Sequence, residues 1–272
     1  MADVIGRVLI IAGSDSGGGA GVQADIKTVT ALGGYAATAI TAITVQDTLG
    51  VHAVHPIPVA LVEAQARVVL DDIGADAIKI GMLGNVDIIR VVANLIDAYP
   101  GIPAVIDPVM TAKGGQNLLA VSAVKALASH LIPRAALLTP NAPEASALVD
   151  MPIRTTDDLR RAGDALLAMG AKAVLMKGGH IPGLKVTDIL LTASGETAFE
   201  GPRVDSRHTH GTGCTLASAC AAGLAQGLAV EQAVARAWSY TAEAIRRAPG
   251  FGAGHGPLDH AWTFRQARAA LR

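Results

Sequence analysis

Short aliphatic runs and longer amphipathic ones alternate along most of the chain. Val8 to Ala12, Ala36 to Val45, Ala77 to Ile80, Ala104 to Ile106, Ala135 to Leu138 and Ala173 to Met176 are dominated by Ala, Val, Ile and Leu, the pattern of strands buried on both faces. Between and after them, apolar residues recur at helical spacing over Val22 to Leu32, Pro58 to Ile73, Val86 to Ala98, Ser122 to Leu131, Asp157 to Met169, Thr212 to Gln226 and Val230 to Arg247. Gly33-Gly34 ends the first of these, and Thr155-x-x-Asp158 supplies a capping pattern for the fifth. The alternation predicts an α/β fold with a mainly parallel central sheet, helices on both faces, and ligands gathered at the carboxyl ends of the strands.

Polar and glycine-rich segments fall where that fold needs them. Gly13 to Gly21 follows the first strand; Gln46-Asp47, Gly81-Met82, Asp107-Pro108, Pro140-Asn141-x-x-Glu144 and Lys177-Gly178-Gly179 follow later ones. Each alone is an ordinary turn, but their shared placement points to one composite site. The loops Met110 to Asn117 and Ile181 to Lys185 are candidate covers for it. No linker, low-complexity segment or repeat divides the chain, so residues 1–272 are expected to form one domain.

Composition narrows the classes of partner. Hydrophobic residues make up 51% and aromatics only 3%, so the core is built from Ala, Val, Leu and Ile. A formal net charge of −1 without a Lys/Arg run argues against nucleic acid and anionic membrane, and favours a small ligand. The apolar stretch Thr215 to Val230 is broken by Ser218, Gly223, Gln226 and Gly227 and reads as a buried helix, not a membrane span. The start of the chain lacks a basic segment followed by a long apolar one, so no export is expected. Cys214 and Cys220 point to different faces of one helix and are not expected to bridge, which fits a reducing cytoplasm.

The most informative chemistry is His210-Gly211-Thr212-Gly213-Cys214-Thr215 running into a helix. Two glycines let the backbone N–H groups converge at the positive end of the helix dipole, which makes an anion cradle. The same field is expected to favour the Cys214 thiolate. The first loop is a different kind of site. No Gly-Lys-Ser/Thr ends it, and the G-x-G-x-x-G spacing fails at Val22 counted from Gly17 and at Ala24 counted from Gly19, so neither a Walker loop nor a dinucleotide fingerprint is present. What remains is backbone that can approach a flat ligand, with Asp25 one turn into the next helix as a hydrogen-bond acceptor.

Taken together, Gly13 to Thr28, Ala42 to Gln46, Lys79 to Leu83, Asp107 to Met110, Thr139 to Glu144, Leu175 to His180 and Thr209 to Cys214 closely resemble the hydroxymethylpyrimidine/phosphomethylpyrimidine kinases, members of the ribokinase-like superfamily. The resemblance runs from about Val8 to about His255 and implies a three-layer α/β/α fold. It implies ATP-dependent phosphorylation, with Mg²⁺, of 4-amino-5-hydroxymethyl-2-methylpyrimidine and then of its monophosphate for thiamine biosynthesis, by a cytoplasmic homodimer.

Carried over by motif, Gln46 and Gly13 would contact the pyrimidine, Val45, Met82 and Val109 would line its faces, and Asp25 would lie near its amino or hydroxymethyl group. Asn141 and Glu144 match the superfamily's Asn-x-x-Glu element, with Glu144 and Asp107 near the metal, and Lys177 beside the ATP phosphates. Gly211, Thr212, Gly213 and Cys214 would form the phosphoryl-transfer cradle, Thr212 also facing the nucleotide. Cys214 stands where sugar kinases of the superfamily carry a catalytic Asp. A neutral thiol there avoids repelling a phosphorylated substrate, and as thiolate it would serve as base for the alcohol. Asp47 replaces an asparagine common at that position, and its role is open.

Three other readings stay open on the sequence. One is a pyridoxine or pyridoxal kinase of the same superfamily; another is a cysteine-nucleophile acyl transferase or hydrolase pairing Cys214 with His208 or His210; the third is a non-enzymatic binding module. His52 and His55 read as a polar strand edge, and Trp238 and Tyr240 as core or interface residues.

Overall fold

The computed structural model describes residues 5–111, 115 and 121–270. Nine strands form one sheet in the order β3-β2-β1-β4-β5-β6-β7-β8-β9, with β1 Arg7–Ser14, β2 Tyr35–Gln46, β3 Val51–Pro56, β4 Ala77–Ile80, β5 Ala104–Ile106, β6 Leu137–Leu138, β7 Ala173–Met176, β8 Lys185–Thr192 and β9 Gly195–Pro202. The six strands from β2 to β7 in that order are parallel. The edges, β3 on one side and β8–β9 on the other, are antiparallel.

The period-2 geometry of the strands sorts their side chains into two cores. Leu9, Ile11, Ile78, Ile80, Ile106, Leu138, Val174 and Met176 face one side. There they meet α2 Val59–Asp72, α3 Val86–Ala98, α4 Val121–His130, α5 Ala142–Val149 and α6 Thr156–Ala168. Val8, Ile10, Ala12, Ala77, Val105, Leu137, Ala173 and Leu175 face the other side. That core is closed by α1 Gly21–Ala31, α7 Thr212–Ala225 and α8 Val230–Arg246. Helix α7 brings Ala217, Ala219, Cys220, Ala221 and Ala222 onto the sheet, and small side chains let it approach closely. At Gly223 a Cβ would lie 2.6 Å from the Ala233 side chain of α8, so the two helices meet backbone to backbone.

The expected strands and seven expected helices all form, with ends displaced by at most a residue or two, except that β6 is only Leu137–Leu138 behind a 3-10 turn at Ile132–Arg134. Thr155 accepts from Asp158 N at 3.1 Å while Asp158 accepts from Thr155 N at 2.9 Å, completing the capping box. Four elements were not expected: α5, α9 Trp262–Ala270, and the β8–β9 hairpin. Of the two candidate covers, the segment 110–117 falls largely outside the described residues. The other, at 181–185, is tied down: the Arg203 guanidinium donates to the carbonyls of Gly179, Ile181 and Gly183 at 2.8, 2.6 and 2.8 Å.

Candidate active site

The carboxyl ends of β1, β4, β5, β6 and β7 deliver Ser14-Asp15, Gly81-Met82, Asp107, Thr139 to Asn141 and Lys177 to one edge of the sheet, and α7 begins against the same edge. Gly211 is the N-cap of α7 at φ 84°, a left-handed conformation, and a Cβ there would lie 1.8 Å from the Gly19 carbonyl oxygen. The first glycine loop and the cradle therefore touch through bare backbone. No side chain caps α7; Thr212 N turns back to the Thr209 carbonyl at 3.4 Å, and the N–H groups of Gly213 and Cys214 that follow have no side-chain cap. Gly213 faces the ionic cluster: its Cβ would lie 3.1 Å from Lys177 Nζ and 3.4 Å from Asp107 Oδ2.

That cluster is mostly buried. Lys177 Nζ donates to Asp107 Oδ1 at 2.9 Å and lies 3.9 Å from Glu144 Oε2, with Thr139 Oγ1 3.3 Å from Asp107 Oδ1. Asn141 and Glu144 cap α5 reciprocally: Asn141 N donates to Glu144 Oε2 at 2.8 Å, and Glu144 N to Asn141 Oδ1 at 2.9 Å. The Asn-x-x-Glu element is thus a capping box that aims a carboxylate at Lys177. Burial lifts the Glu144 carboxyl to about 7; Lys177 opposes this and Asp107 adds to it. Burial alone would lower Lys177, but Asp107 and Glu144 hold it above its usual value, so it stays charged. Behind it, Asp188 accepts from Gly178 N at 2.7 Å and fixes the backbone that follows Lys177.

On the other side of the cradle the groups suit a flat ring. A Cβ on Gly13 would lie 3.2 Å from Met82 Sδ, so the glycine backbone and the thioether form adjoining surfaces. Gln46 is half-buried at the end of β2, its main chain exchanging hydrogen bonds with Ser16 Oγ at 2.7 and 2.8 Å. Its carboxamide lies 3.2 Å from both Thr44 Oγ1 and His210 Nε2. Val109 follows Asp107 at the same sheet edge and is partly covered, whereas Val45 is 51% exposed on β2. Asp47 builds the β2–β3 turn, accepting from Leu49 N and Gly50 N at 2.8 and 3.1 Å and pairing with His52 at 3.0 Å, which also settles His52 as an edge residue.

Residues 15–259 match the family model described as phosphomethylpyrimidine kinase. The hydroxymethylpyrimidine/phosphomethylpyrimidine kinase of Bacillus subtilis is 47% identical over 255 residues, covering 93% of this chain and 94% of its own. The chain belongs to the phosphomethylpyrimidine kinase family. The thiamine biosynthesis bifunctional protein ThiED of Geobacter sulfurreducens is 47% identical over 94% of this chain, which spans 52% of that longer protein. Among solved structures, the ADP complex of Bacillus subtilis pyridoxal kinase superposes with a TM-score of 0.90 at 38% identity, covering 96% of this chain and 99% of the other. The fold is the ribokinase-like α/β fold and the protein is a kinase.

Within this family member, two expectations give way to the geometry. Asp25 does not line the ring surface. It is fully buried, with Oδ2 2.7 Å from Lys79 Nζ and Oδ1 accepting from Ser218 Oγ at 2.7 Å, so both oxygens are used inside the protein. One turn into α1 turned out to point inward, against the equally buried Lys79 of β4. Nor is the Cys214 thiolate favoured: burial pushes the thiol up to about 12, Lys79 opposing and Asp25 and Asp107 reinforcing. The nucleophile reading gains no partner either: among the described residues His210 Nε2 faces Asp15 and Gln46, His208 Nε2 faces Arg207, and no hydrogen bond joins Cys214 to either histidine.

The pH dependence of alkylation checks the thiol. With a pKa of about 12, Cys214 is expected to react with iodoacetamide at a rate that rises about tenfold per pH unit from 7 to 10 without levelling, because the thiolate fraction keeps growing below the pKa. Cys220 is fully buried and should not contribute. A plateau below pH 9 in peptide-mapped labelling would contradict the raised value.

Sequence reasoning missed Asp15, His210 and Lys79 as organisers. Asp15 is 2% exposed, and its carboxylate accepts from the N–H groups of Gly17, Gly19 and Ala20 at 2.8, 3.0 and 2.8 Å. An aspartate followed by glycines is the readable signal for such a loop-closing turn.

Proposed function

We propose that this kinase transfers the γ-phosphoryl group of ATP to 4-amino-5-hydroxymethyl-2-methylpyrimidine and then to the resulting monophosphate, serving thiamine biosynthesis in the cytoplasm as a single-domain enzyme. One observation carries the reading: a carboxamide, Gln46, lies on the ring side of a glycine cradle whose anion end holds Lys177 and whose proton-acceptor position holds a neutral thiol.

The donor set suits a hard divalent cation. Asp107 and Glu144 offer carboxylate oxygens beside the cradle, and Mg²⁺ is usually held by one or two carboxylates together with substrate phosphates. It would supply charge neutralisation for the phosphates. Lys177 adds a fixed positive charge at the open face of Gly213, and the first N–H groups of α7 stabilise charge on the transferred group. Gly13, Met82 and Val109 hold the ring so that its hydroxymethyl oxygen faces the cradle, while Gln46 pairs with the aminopyrimidine edge. In the first transfer the alcohol oxygen forms a bond to the γ-phosphorus as the bond from that phosphorus to the β–γ bridging oxygen breaks, ADP leaves with that oxygen, and the hydroxyl proton is released to solvent. In the second transfer the substrate phosphate attacks without needing deprotonation.

Cys214 fits the second transfer best. A thiol held at about 12 is uncharged at neutral pH and adds no repulsion to the incoming phosphate. Cys214→Asp is expected to slow phosphorylation of the monophosphate by about tenfold or more relative to that of the alcohol. Equal effects on both substrates, measured as kcat/KM, would refute the repulsion argument.

A pyridoxal kinase activity is the second reading, favoured by the TM-score of 0.90 with such an enzyme. Coupled ADP release with the pyrimidine alcohol, its monophosphate, pyridoxal and pyridoxine separates the two: turnover of both pyrimidines supports the proposal, and turnover of the vitamin B6 alcohols alone overturns it. For a homodimer, the β2 face that carries Ile43 and Val45 is the surface of choice, since they are 42 and 51% exposed there. No helix among the described residues is long and apolar enough to cross a membrane.

A further inference from the structure

The Gln46 amide has two ends of nearly equal size, and protons decide which faces where. Asp15 Oδ2 lies 2.8 Å from His210 Nε2 and already accepts from Gly19 N and Ala20 N. Burial would raise the Asp15 carboxyl, but hydrogen bonds from His210, Ala20 and Gly17 keep it below its usual range, so it is ionised. An ionised oxygen at that distance requires a proton on His210 Nε2. The same Nε2 sits 3.2 Å from the Gln46 carboxamide, and an N–H cannot face an N–H there. The structure sets the amide nitrogen toward His210, so this proton requires the amide to be turned over, with its oxygen toward His210. The other end permits the exchange: in the structure it is Gln46 Oε1 that lies 3.2 Å from Thr44 Oγ1, but Thr44 has one hydroxyl proton and also donates to the Ser14 carbonyl at 2.7 Å, so with the amide turned over Thr44 Oγ1 can accept from the NH₂.

We propose that His210 is a positioning residue for substrate selection: its Nε2–H, shared between Asp15 and the Gln46 carboxamide oxygen, fixes which way round the amide presents its donor and acceptor to the ring. With one site on each end taken by Thr44 and His210, the amide keeps one oxygen lone pair and one N–H for the ligand. That pair matches a ring carrying an amino group beside a ring nitrogen. The amino group belongs on the His210 side and the ring nitrogen on the Thr44 side. A ring with the reverse order, an oxo group beside a ring N–H, meets acceptor with acceptor and donor with donor. His210 precedes Gly211 directly, so the residue that orients ring recognition is also the first residue of the cradle segment. The ring assignment rests on the pyrimidine reading given under Proposed function; the amide orientation does not.

Two measurements on the full-length enzyme test this. Long-range ¹H–¹⁵N correlation of the His210 imidazole at neutral pH should show Nε2 protonated; an unprotonated Nε2 overturns the proposal, whatever the substrate. Kinetically, His210→Leu should raise the KM for the pyrimidine alcohol about tenfold or more, with kcat and the KM for ATP changed less than about threefold. His210→Gln, which can bring an N–H toward the same position, should restore most of the loss. In a Gln46→Leu background, His210→Leu should add little, because its partner is gone. Equal losses in kcat and in the KM for ATP, or additive effects in the double variant, overturn the proposal. If the wild-type enzyme phosphorylates no pyrimidine alcohol, the functional reading falls and the nitrogen spectrum still decides the orientation.

Discussion

Lys177→Met is expected to lower kcat/KM by roughly 10²- to 10³-fold, the loss typical of removing one preorganised charge or donor from a transition state. Lys177 Nζ lies 2.9 Å from Asp107 Oδ1 and 3.9 Å from Glu144 Oε2, and the missing side chain of Gly213 opens the cradle toward it. Methionine removes the charge that faces the phosphates and leaves two carboxylates there without their counter-ion, so repulsion adds to lost attraction. Lys177→Arg keeps the charge but places a planar fork where a compact ammonium fits, and should recover only part of the rate. Single-turnover rates with saturating ATP give the measurement, and a Lys177→Met enzyme within tenfold of wild type would show that the charge is not used in the transfer. Glu144 already titrates near 7 and can take up a proton when Lys177 is lost, which limits the folding penalty.

The largest stability effect is expected at the pair below the cradle. Lys79 and Asp25 have no exposed surface, and their 2.7 Å contact is joined by Ser218. Lys79→Met strips Asp25 of its counter-charge in a place water cannot reach, at a cost of about 3–5 kcal/mol. In a chain of this size that corresponds to a fall in Tm of about 10 °C. The double variant Lys79→Met with Asp25→Leu should recover most of the loss, since replacing both partners of a buried pair by apolar groups is often close to neutral. Thermal unfolding of the two single variants and the double variant decides the matter. Additive losses would mean that the two charges are not energetically coupled.

How much of this was legible in the sequence depends on what each signal measures. Strand runs such as Ala77 to Ile80 carry their own burial, and the polar residues after them reveal the working edge of the sheet. The β8–β9 hairpin was harder to see because Asp188 interrupts one strand and Gly201-Pro202 closes the other. Helix α5 was hidden behind Pro143, although Asn141 and Glu144 spell its cap. Resemblance to a family gathered the site residues, but it could not give the direction of a side chain. Asp25 was assigned to the ligand because the first turn of α1 lies near the glycine loop, whereas the helix is rotated so that Asp25 faces Lys79. The thiol is a related case: a helix start is visible in sequence, whereas the Asp25 and Asp107 carboxylates that help hold the thiol protonated come from distant segments.

The backbone contact between Gly19 and Gly211 has a consequence for how the chain tolerates change in length. Both partners are held in register, Gly19 by its hydrogen bond to Asp15 and Gly211 by the start of α7, with no side chain between them to absorb a shift. An extra residue in either segment would pull the two strips of main chain out of alignment. The turn at Ala193-Ser194 is exposed and connects only the edge strands, so insertions should concentrate there. Across related sequences, length variation at the β8–β9 tip alongside constant length around Gly19 and Gly211 would be the trace left by that contact.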